Sequence, residues 1–204
     1  MPRMTEPAEA PPVKLLCGMI SARKELFDAA LGPLTNVFGP VDLVSDVMDF
    51  DFTHYYDAEM GSPLYRRFVS FADLVRPDAL VEAKLATNRV ERDVARSAIG
   101  DAPDAAGEAC PYGSPRRAQG IQRPVNLDPG YIEPSKLVLA SMKNFSHRIY
   151  LGRGVFAEIT LMWRKTHWEP LPWTFPDFAS GRYFPFLTAC RERLRQQAHK
   201  GYGP

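Results

Sequence analysis

Asn126, Asp128 and Tyr131 crowd around a Pro-Gly pair within the segment Arg123–Tyr131. If the preceding strand reaches Asp128, the Asn126 and Asp128 side chains share a face and converge at the end of that strand. Lys136 follows at the predicted start of a helix, where a cation and the helix N-terminus together would hold an anion. Asp128 argues against a bare phosphate site unless a metal or a sugar hydroxyl intervenes.

A structural role for the same segment is equally consistent with the sequence. The Pro129-Gly130 pair favours a type II turn, and Asn and Asp side chains often brace turns by accepting backbone N–H groups. The sequence leaves the ligand site and the braced turn as open alternatives.

His147 is the candidate acid or base, since imidazole titrates near neutral pH, and Arg148 is suited to a carboxylate or phosphate. On a strand these neighbours point to opposite faces, which predicts that they cannot line one pocket without a bulge. A structural role for His147 is the alternative. Glu158 lies within an apolar strand pattern and needs a partner, for which Arg148 is the predicted ion pair.

The densest polar and aromatic cluster contributes three further ligand-binding candidates, Asp51, Tyr55 and Glu59. Its carboxylates could bind a divalent cation, but their spacing matches no metal loop, and a solvated acidic loop is the simpler interpretation. No CxxC, GxGxxG, GxxxxGK[ST], HExxH or GxSxG motif is present. The sequence therefore indicates no metal site and leaves the cofactor unknown.

Strands and helices must position these residues. The apolar patterns predict the following elements in chain order: a strand at Val13–Ile20, a helix to Phe38, strands at Val41–Phe50 and Leu64–Phe71, a helix from Pro77 to about Ile99, a strand at Arg123–Leu127, a helix from Pro134 to Ser141, a hairpin of Arg148–Leu151 with Val155–Arg164, and a helix from Tyr183 to Ala198. This order predicts an α/β (α+β) fold with a mixed or mainly antiparallel sheet and helices packed on it. Two pseudo-repeated βαββα halves are a further expectation.

Composition predicts one compact domain over 13–199, with halves at 13–99 and 123–199. We expect 1–12 to be a disordered tail and 100–122 to be a mobile insert, because both are rich in Pro and Ala and lack periodicity. A net charge of +1 does not support nucleic-acid binding. No apolar run reaches membrane-span length, so no membrane partner and a cytoplasmic location are expected, with the oligomeric state unknown.

Several phrases of the chain resemble a bacterial family catalogued as domain of unknown function 4416. They are Val13–Met19, Asp51–Tyr56 with Glu59–Gly61, Val125–Tyr131, Ser146–Gly152 and Leu171–Asp177. The resemblance spans about Val13 to Arg195, and the 100–122 insert is longer than the family suggests. The resemblance implies no activity.

Two functions remain as hypotheses. The first is an enzyme that acts by general acid/base chemistry on a small polar substrate, phosphorylated or nucleotide-like compounds included, with Asp128 and His147 as catalytic candidates. Its ligand-binding candidates are Asn126, Tyr131, Lys136, Arg148, Asp51, Tyr55 and Glu59. The second is a non-catalytic binding or adaptor module for a protein or RNA partner, with the C-terminal aromatic loop and the insert as contacts.

Overall fold

Strand β1 (Val13–Ser21) lies at the centre of the fold, and all nine of its residues are buried. Alternate residues of a strand point to opposite faces, so burial at every position means that both faces of the sheet are covered. The structure, a computed structural model, describes residues 9–99 and 123–201. Most of the predicted tail, residues 1–8, and the whole predicted insert, 100–122, lie outside these residues.

The other strands are β2 (Val41–Val44), β3 (Met48–Asp49), β4 (Tyr65–Val75), β5 (Asn126–Glu133), β6 (Lys136–Ser141), β7 (Ile149–Gly152), β8 (Val155–Arg164) and β9 (His167–Pro170). They form one sheet in the order β2-β4-β1-β5-β6-β8-β7, with β3 beside β4 and β9 beside β8. Every pairing is antiparallel. The predicted fold class, a mainly antiparallel sheet with helices packed on it, is confirmed.

Helices cover the two faces of the sheet. Helices α1 (Glu25–Phe38) and α3 (Leu80–Ile99) pack over the side chains of Leu15, Cys17 and Met19. Helices α4 (Pro176–Ala179) and α5 (Phe184–Gly201) pack on the opposite face, against Leu16 and Phe68. The remaining helix, α2 (Asp57–Met60), is a single turn. Within residues 9–99 and 123–201, no helix has the length and apolarity needed to cross a bilayer.

The helix predicted for Pro134–Ser141 is wrong, because Lys136–Ser141 forms strand β6. Its apolar residues Leu137 to Ala140 are all buried, and a continuous apolar run does not distinguish a buried strand from a helix. Pro134 and Ser135 form the tight turn between β5 and β6. With no helix between these strands, the second half does not confirm a βαββα repeat. The predicted strand Val41–Phe50 is likewise divided into β2 and β3.

Pro129 and Gly130 lie inside β5, so the type II turn predicted for them is wrong. Pairing of β5 with β6 begins only at Gly130, opposite Leu139, and Pro129 therefore needs no N–H for a bond on that side. A Cβ at Gly130 would lie 2.5 Å from the Val138 carbonyl oxygen. Gly130 thus permits the close approach of β6, and the stretch Asn126–Pro129 is left beyond the β5–β6 ladder.

Candidate functional site

Asp128 is the centre of a charged network on β5. Its Oδ2 accepts a 2.6 Å hydrogen bond from Asn126 Nδ2, and its Oδ1 lies 3.3 Å from Lys84 Nζ of α3. Lys84 is buried and also donates to the Leu127 carbonyl oxygen at 3.0 Å. The Asp128 side chain nevertheless keeps 30% of its surface exposed. The carboxylate is held in place by the protein and still open to solvent.

Glu91 and Arg123 extend this network along α3. Glu91 accepts the backbone N–H of Leu127 at 2.6 Å and lies 3.0 Å from Arg123 Nη2, which also contacts Asn126 Oδ1. Burial raises the pKa of Glu91, and the nearby Arg123 and Lys84 cations offset this only in part. Lys84 and Glu91 are seven residues apart and share one stripe of the helix. That charged pair on a buried helix face is the signal that sequence reasoning missed.

Asp128 is ionised at neutral pH. Burial alone raises the pKa of its carboxyl group, but the cations Lys84, Arg66 and Arg123 together with the Asn126 hydrogen bond outweigh burial and lower it. Burial raises the pKa of Tyr56, and the Asp128 charge adds to that rise. The charges of Arg66 and Arg123 act to lower the pKa of both Asp128 and Tyr56.

His147, Arg148 and Glu158 form a second cluster. Glu158 is 3% exposed, and its Oε2 lies 2.9 Å from His147 Nε2 and 2.7 Å from Arg148 Nε. The predicted Glu158–Arg148 ion pair is confirmed. The expectation that His147 and Arg148 point to opposite faces is wrong, because His147 lies in a turn before β7 begins at Ile149 and strand alternation does not apply there.

Trp173 fixes the His147 ring from the other side. The two rings are stacked, with 5.4 Å between centroids and an interplanar angle of 6°. Trp173 is itself anchored, since its Nε1 donates to the Ile159 carbonyl oxygen of β8 at 2.8 Å. The imidazole is consequently held by a carboxylate at its edge and by an indole on its face.

The sheet register brings the two clusters to one face. Asp128 lies two residues from Gly130, which is opposite Leu139, and Leu139 is opposite Glu158 on β8. Residues two apart on a strand, and residues directly opposite on neighbouring strands, share a face. Asp128 and Glu158 therefore belong to the face that α4 and α5 cover, and Lys84 of α3 reaches Asp128 past the edge of β5 that β6 leaves unpaired.

A single segment spans the two clusters above that face. Trp173 stacks on His147, and Asp177, four residues later, binds Arg66 of β4 with an Nη2–Oδ2 distance of 3.0 Å. Arg66 lies opposite Ile20 of β1, which in turn lies opposite Asn126 of β5. The segment Trp173–Asp177 thus reaches from the His147 cluster to the strands that carry Arg66 and Asp128.

The other sequence-predicted residues lie apart from this centre or at its border. Tyr131 packs on the opposite face with Leu80, and Lys136 is at the far end of β6, where it pairs with Glu133. Asp51 is exposed and pairs with Arg182, with 3.0 Å between Nη1 and Oδ1.

The loop that carries Asp51 touches both clusters through two other residues. Tyr55 is exposed, and its Oη accepts a 2.9 Å hydrogen bond from Lys143 Nζ. Lys143 also offers its carbonyl oxygen to Arg148 Nη1 at 2.9 Å. Glu59 is exposed as well, but its carbonyl oxygen accepts the backbone N–H of Arg123 at 3.1 Å.

Two cavities that are open to solvent lie elsewhere. One of about 320 Å³ is lined by Leu26, Pro33 and Val94 between α1 and α3, and one of about 450 Å³ is lined by Phe38, Asp73 and Ala83. None of the sequence-predicted site residues lines either cavity. Across the part of the chain that the structure describes, no group of three His, Cys, Asp or Glu side chains is placed to hold a metal ion.

Comparison with known proteins identifies the family of this chain. Neither a curated protein nor a solved structure matches the chain. A family model described as "Domain of unknown function (DUF4416)" matches residues 11–99 and 115–194, which include both clusters. The chain therefore belongs to the DUF4416 family.

Proposed function

We propose that the protein is an enzyme that moves a proton on a small polar substrate, with His147 as the acid/base and Asp128 as a substrate-binding group. The observation that carries this proposal is the fixed His147–Glu158 pair on the same sheet face as the ionised Asp128.

The contact with Glu158 determines which nitrogen of His147 remains free to accept a proton. A carboxylate accepts from an N–H, so Nε2 is the donor to Glu158, and in the neutral ring Nδ1 is the nitrogen that carries the lone pair. Among the described residues, Nδ1 makes no hydrogen bond. A lone pair on a ring held by Glu158 and Trp173 is suited to taking a proton from a substrate and returning it later.

Asp128 is suited to binding rather than to proton donation. Its lowered pKa keeps it a carboxylate at neutral pH, and a carboxylate accepts hydrogen bonds from hydroxyl or amine groups. Polar substrates with such groups, phosphorylated and nucleotide-like compounds among them, fit this chemistry. We further propose a cytoplasmic location, since Cys17 and Cys190 are unpaired thiols, as expected in a reducing compartment.

A metabolite library tests the proposal in two steps. Compounds that raise the melting temperature are first selected, because a ligand of the folded state stabilises it by mass action. Each selected compound is then incubated with the wild-type protein, and product formation is followed by mass spectrometry. We expect His147→Ala to abolish turnover and Asp128→Asn to weaken binding of the same compound.

The matched controls are His167→Ala and Asp78→Asn, which remove an exposed histidine and an exposed aspartate elsewhere. Both controls should turn the compound over at the wild-type rate. Equal turnover by wild type, His147→Ala and Asp128→Asn would overturn the enzyme proposal.

A binding or adaptor module is the second candidate, and a specific surface favours it. Strand β7 lies at an edge of the sheet, and its residues Ile149, Tyr150 and Leu151 are 71%, 60% and 40% exposed. Exposed apolar side chains beside an open strand edge are typical of surfaces that pair with another chain. The aromatic loop adds Trp173 and Phe175, which are partly exposed.

Partner capture distinguishes this candidate from the enzyme. The wild-type protein and the variant Ile149→Lys/Leu151→Lys are used as bait, with RNase-treated and untreated lysates in parallel. A module predicts that the variant loses a partner which the wild type retains, and RNase sensitivity would identify that partner as RNA. Identical recovery by both baits would contradict the module.

A further inference from the structure

Arg66 is buried in an aromatic cage at the edge of the proposed site. Its residue exposure is 5%, and the guanidinium carbon lies 5.1–5.7 Å from the ring centroids of Phe50, Phe68, Phe178 and Tyr183. The rings exclude water from the guanidinium and stabilise its positive charge. The cage also holds the planar group in one orientation.

The protein uses few of the donors that this guanidinium offers. Arginine carries five N–H donors. Within residues 9–99 and 123–201 Arg66 donates one side-chain hydrogen bond, from Nη2 to Asp177 Oδ2, and its Nε is buried without an acceptor. Buried donors without acceptors are costly, so donors left free in an ordered cage indicate a ligand that supplies acceptor oxygens.

Gly18 relates the position of Arg66 to that of Asp128. Arg66 Nη1 is 2.9 Å from the position that a Cβ would occupy at Gly18, and Gly18 is opposite Asp128 on the neighbouring strand. Nη1 and the Phe68 ring therefore fill the position over Gly18, on the same face as the Asp128 carboxylate, which is partly open to solvent. A donor group and an acceptor group thus lie on one face of the sheet, with β1 between their strands.

Charge decides which molecule suits these two groups. Asp177 balances Arg66, and Lys84 balances Asp128, so neither charge dominates. Arg66 can bind the oxygens of a carboxylate or phosphate in the forked geometry of its N–H groups. The Asp128 carboxylate repels such an oxyanion but accepts a hydroxyl, so the ligand must bear both groups on adjoining positions.

We propose that Arg66 and Asp128 form a subsite for a small hydroxylated oxyanion, in which Arg66 binds the carboxylate or phosphate and Asp128 binds a neighbouring hydroxyl. This subsite would hold the substrate of the proposed enzyme and in that sense rests on the proposed function. A hydroxy acid and a sugar phosphate are the two sources of this chemistry.

Four probes separate the parts of the subsite: acetate and glycolate, and inorganic phosphate and glycerol phosphate. Binding is measured by thermal shift and calorimetry at constant ionic strength. In the wild type, we expect the hydroxylated member of one pair to bind at least about tenfold more tightly than its partner. Glycolate preference identifies a hydroxy acid, and glycerol phosphate preference identifies a phosphate ester.

Variants assign each contribution to a residue. Arg66→Lys, which keeps the charge and loses the fork, should weaken both members of the preferred pair at least about tenfold. Asp128→Asn should remove the advantage of the hydroxylated member. Arg67→Lys is the matched control, since Arg67 is the next residue and binds Asp28 at the surface, and it should bind like wild type.

The Arg66 side chain can also be observed without replacing it, in case Arg66→Lys does not fold. The Nε–Hε resonance of Arg66 in the wild type should move saturably with the preferred probe. An unmoved resonance, or a folded Arg66→Lys variant that binds as tightly as wild type, would overturn the subsite. His147→Ala should keep probe binding, so loss of the acid/base proposal and loss of this subsite are separate outcomes.

Discussion

Glu158 holds His147 from inside the sheet, with 2.9 Å between the carboxylate Oε2 and the imidazole Nε2. The same oxygen accepts the Nε–H of Arg148 at 2.7 Å, and a weaker contact joins Oε1 to Thr160 Oγ1 at 3.5 Å. A buried carboxylate shared by two donors is costly to remove, because both donors then lose their acceptor. Stability and the orientation of the ring are therefore linked through one side chain.

Replacing Glu158 should consequently destabilise the folded protein. We expect Glu158→Ala to lower the free energy of unfolding by about 3 kcal/mol, since Arg148 is left nearly buried without its partner. Urea denaturation measures the change. Glu169→Ala, which removes the exposed partner of Arg164, is the control and should cost less than about 1 kcal/mol. Similar costs for the two variants would show that the Glu158 cluster contributes no more than a surface pair.

The glycines of the central strands should differ sharply in tolerance. At Gly18 a Cβ would lie 2.8 Å from Phe68 Cε1, and at Gly130 it would lie 2.5 Å from a backbone oxygen. We expect Gly18→Ala to cost about 1–3 kcal/mol, and Gly130→Ala to cost more, because backbone yields less than a side chain.

Gly32 of α1 provides the control for these two glycines, since no atom of another element lies within 4 Å of a Cβ there. Gly32→Ala should change the stability by less than about 1 kcal/mol, because the helix preference of Ala is opposed by crowding of its Cβ against Pro33. Thermal melts of the three variants test the order. A Gly130→Ala variant as stable as Gly32→Ala would contradict the close approach of β6.

The contribution of Asp128 to stability should depend on pH in the acidic range. Its pKa is lowered in the folded state, so the contribution is complete above its ordinary pKa of about 4 and is lost as the pH falls through the lower folded value. The stability difference between wild type and Asp128→Asn should be constant from pH 5 to 7 and shrink below about pH 4.

Asp78→Asn serves as the comparison in the same urea series, because the Asp78 side chain is 70% exposed. It should change the unfolding free energy by less than about 0.5 kcal/mol at neutral pH. A difference between wild type and Asp128→Asn that grows as the pH falls towards 3 would contradict the lowered pKa.

Substitutions of Trp168 and Trp173 should have different effects, the first on stability and the second on the His147 ring. Trp168 is 2% exposed and its Nε1 donates to Thr188 of α5, so Trp168→Ala should cost about 3–5 kcal/mol. Trp173 is 39% exposed and stacks on His147, so Trp173→Ala should keep the fold and loosen the imidazole. Histidine ring spectra and melting curves test the pair. An unchanged His147 signal in Trp173→Ala would contradict the role of the stack.

The sequence predicted the fold class because long periodic segments, such as α3 and the strand β1, carry strong patterns. It did not predict β6, since four consecutive buried apolar residues fit a strand and a helix equally. The Pro129-Gly130 pair was misleading for a related reason: both residues are typical of turns, and only the position of β6 shows why a strand accepts them.

Part of the site was also predictable. Asn126 and Asp128 are two residues apart on a strand and do come together, and the Glu158–Arg148 pair follows from a lone charge in an apolar strand. Arg66 was not found, because an arginine at the start of a strand looks exposed until α4 brings Asp177 over it. Tertiary neighbours of this kind leave no local signal.

The pairing of β1 with β5 has a consequence for how the chain holds together. These strands come from opposite sides of residues 100–122, yet they are adjacent at the middle of one sheet. The sheet of residues 9–99 is therefore completed by strands from residues 123–201, and the strands of residues 123–201 likewise depend on β1. Two fragments separated within 100–122 should each be poorly folded alone and reassemble by strand pairing when mixed, so the protein is a natural candidate for a split reporter.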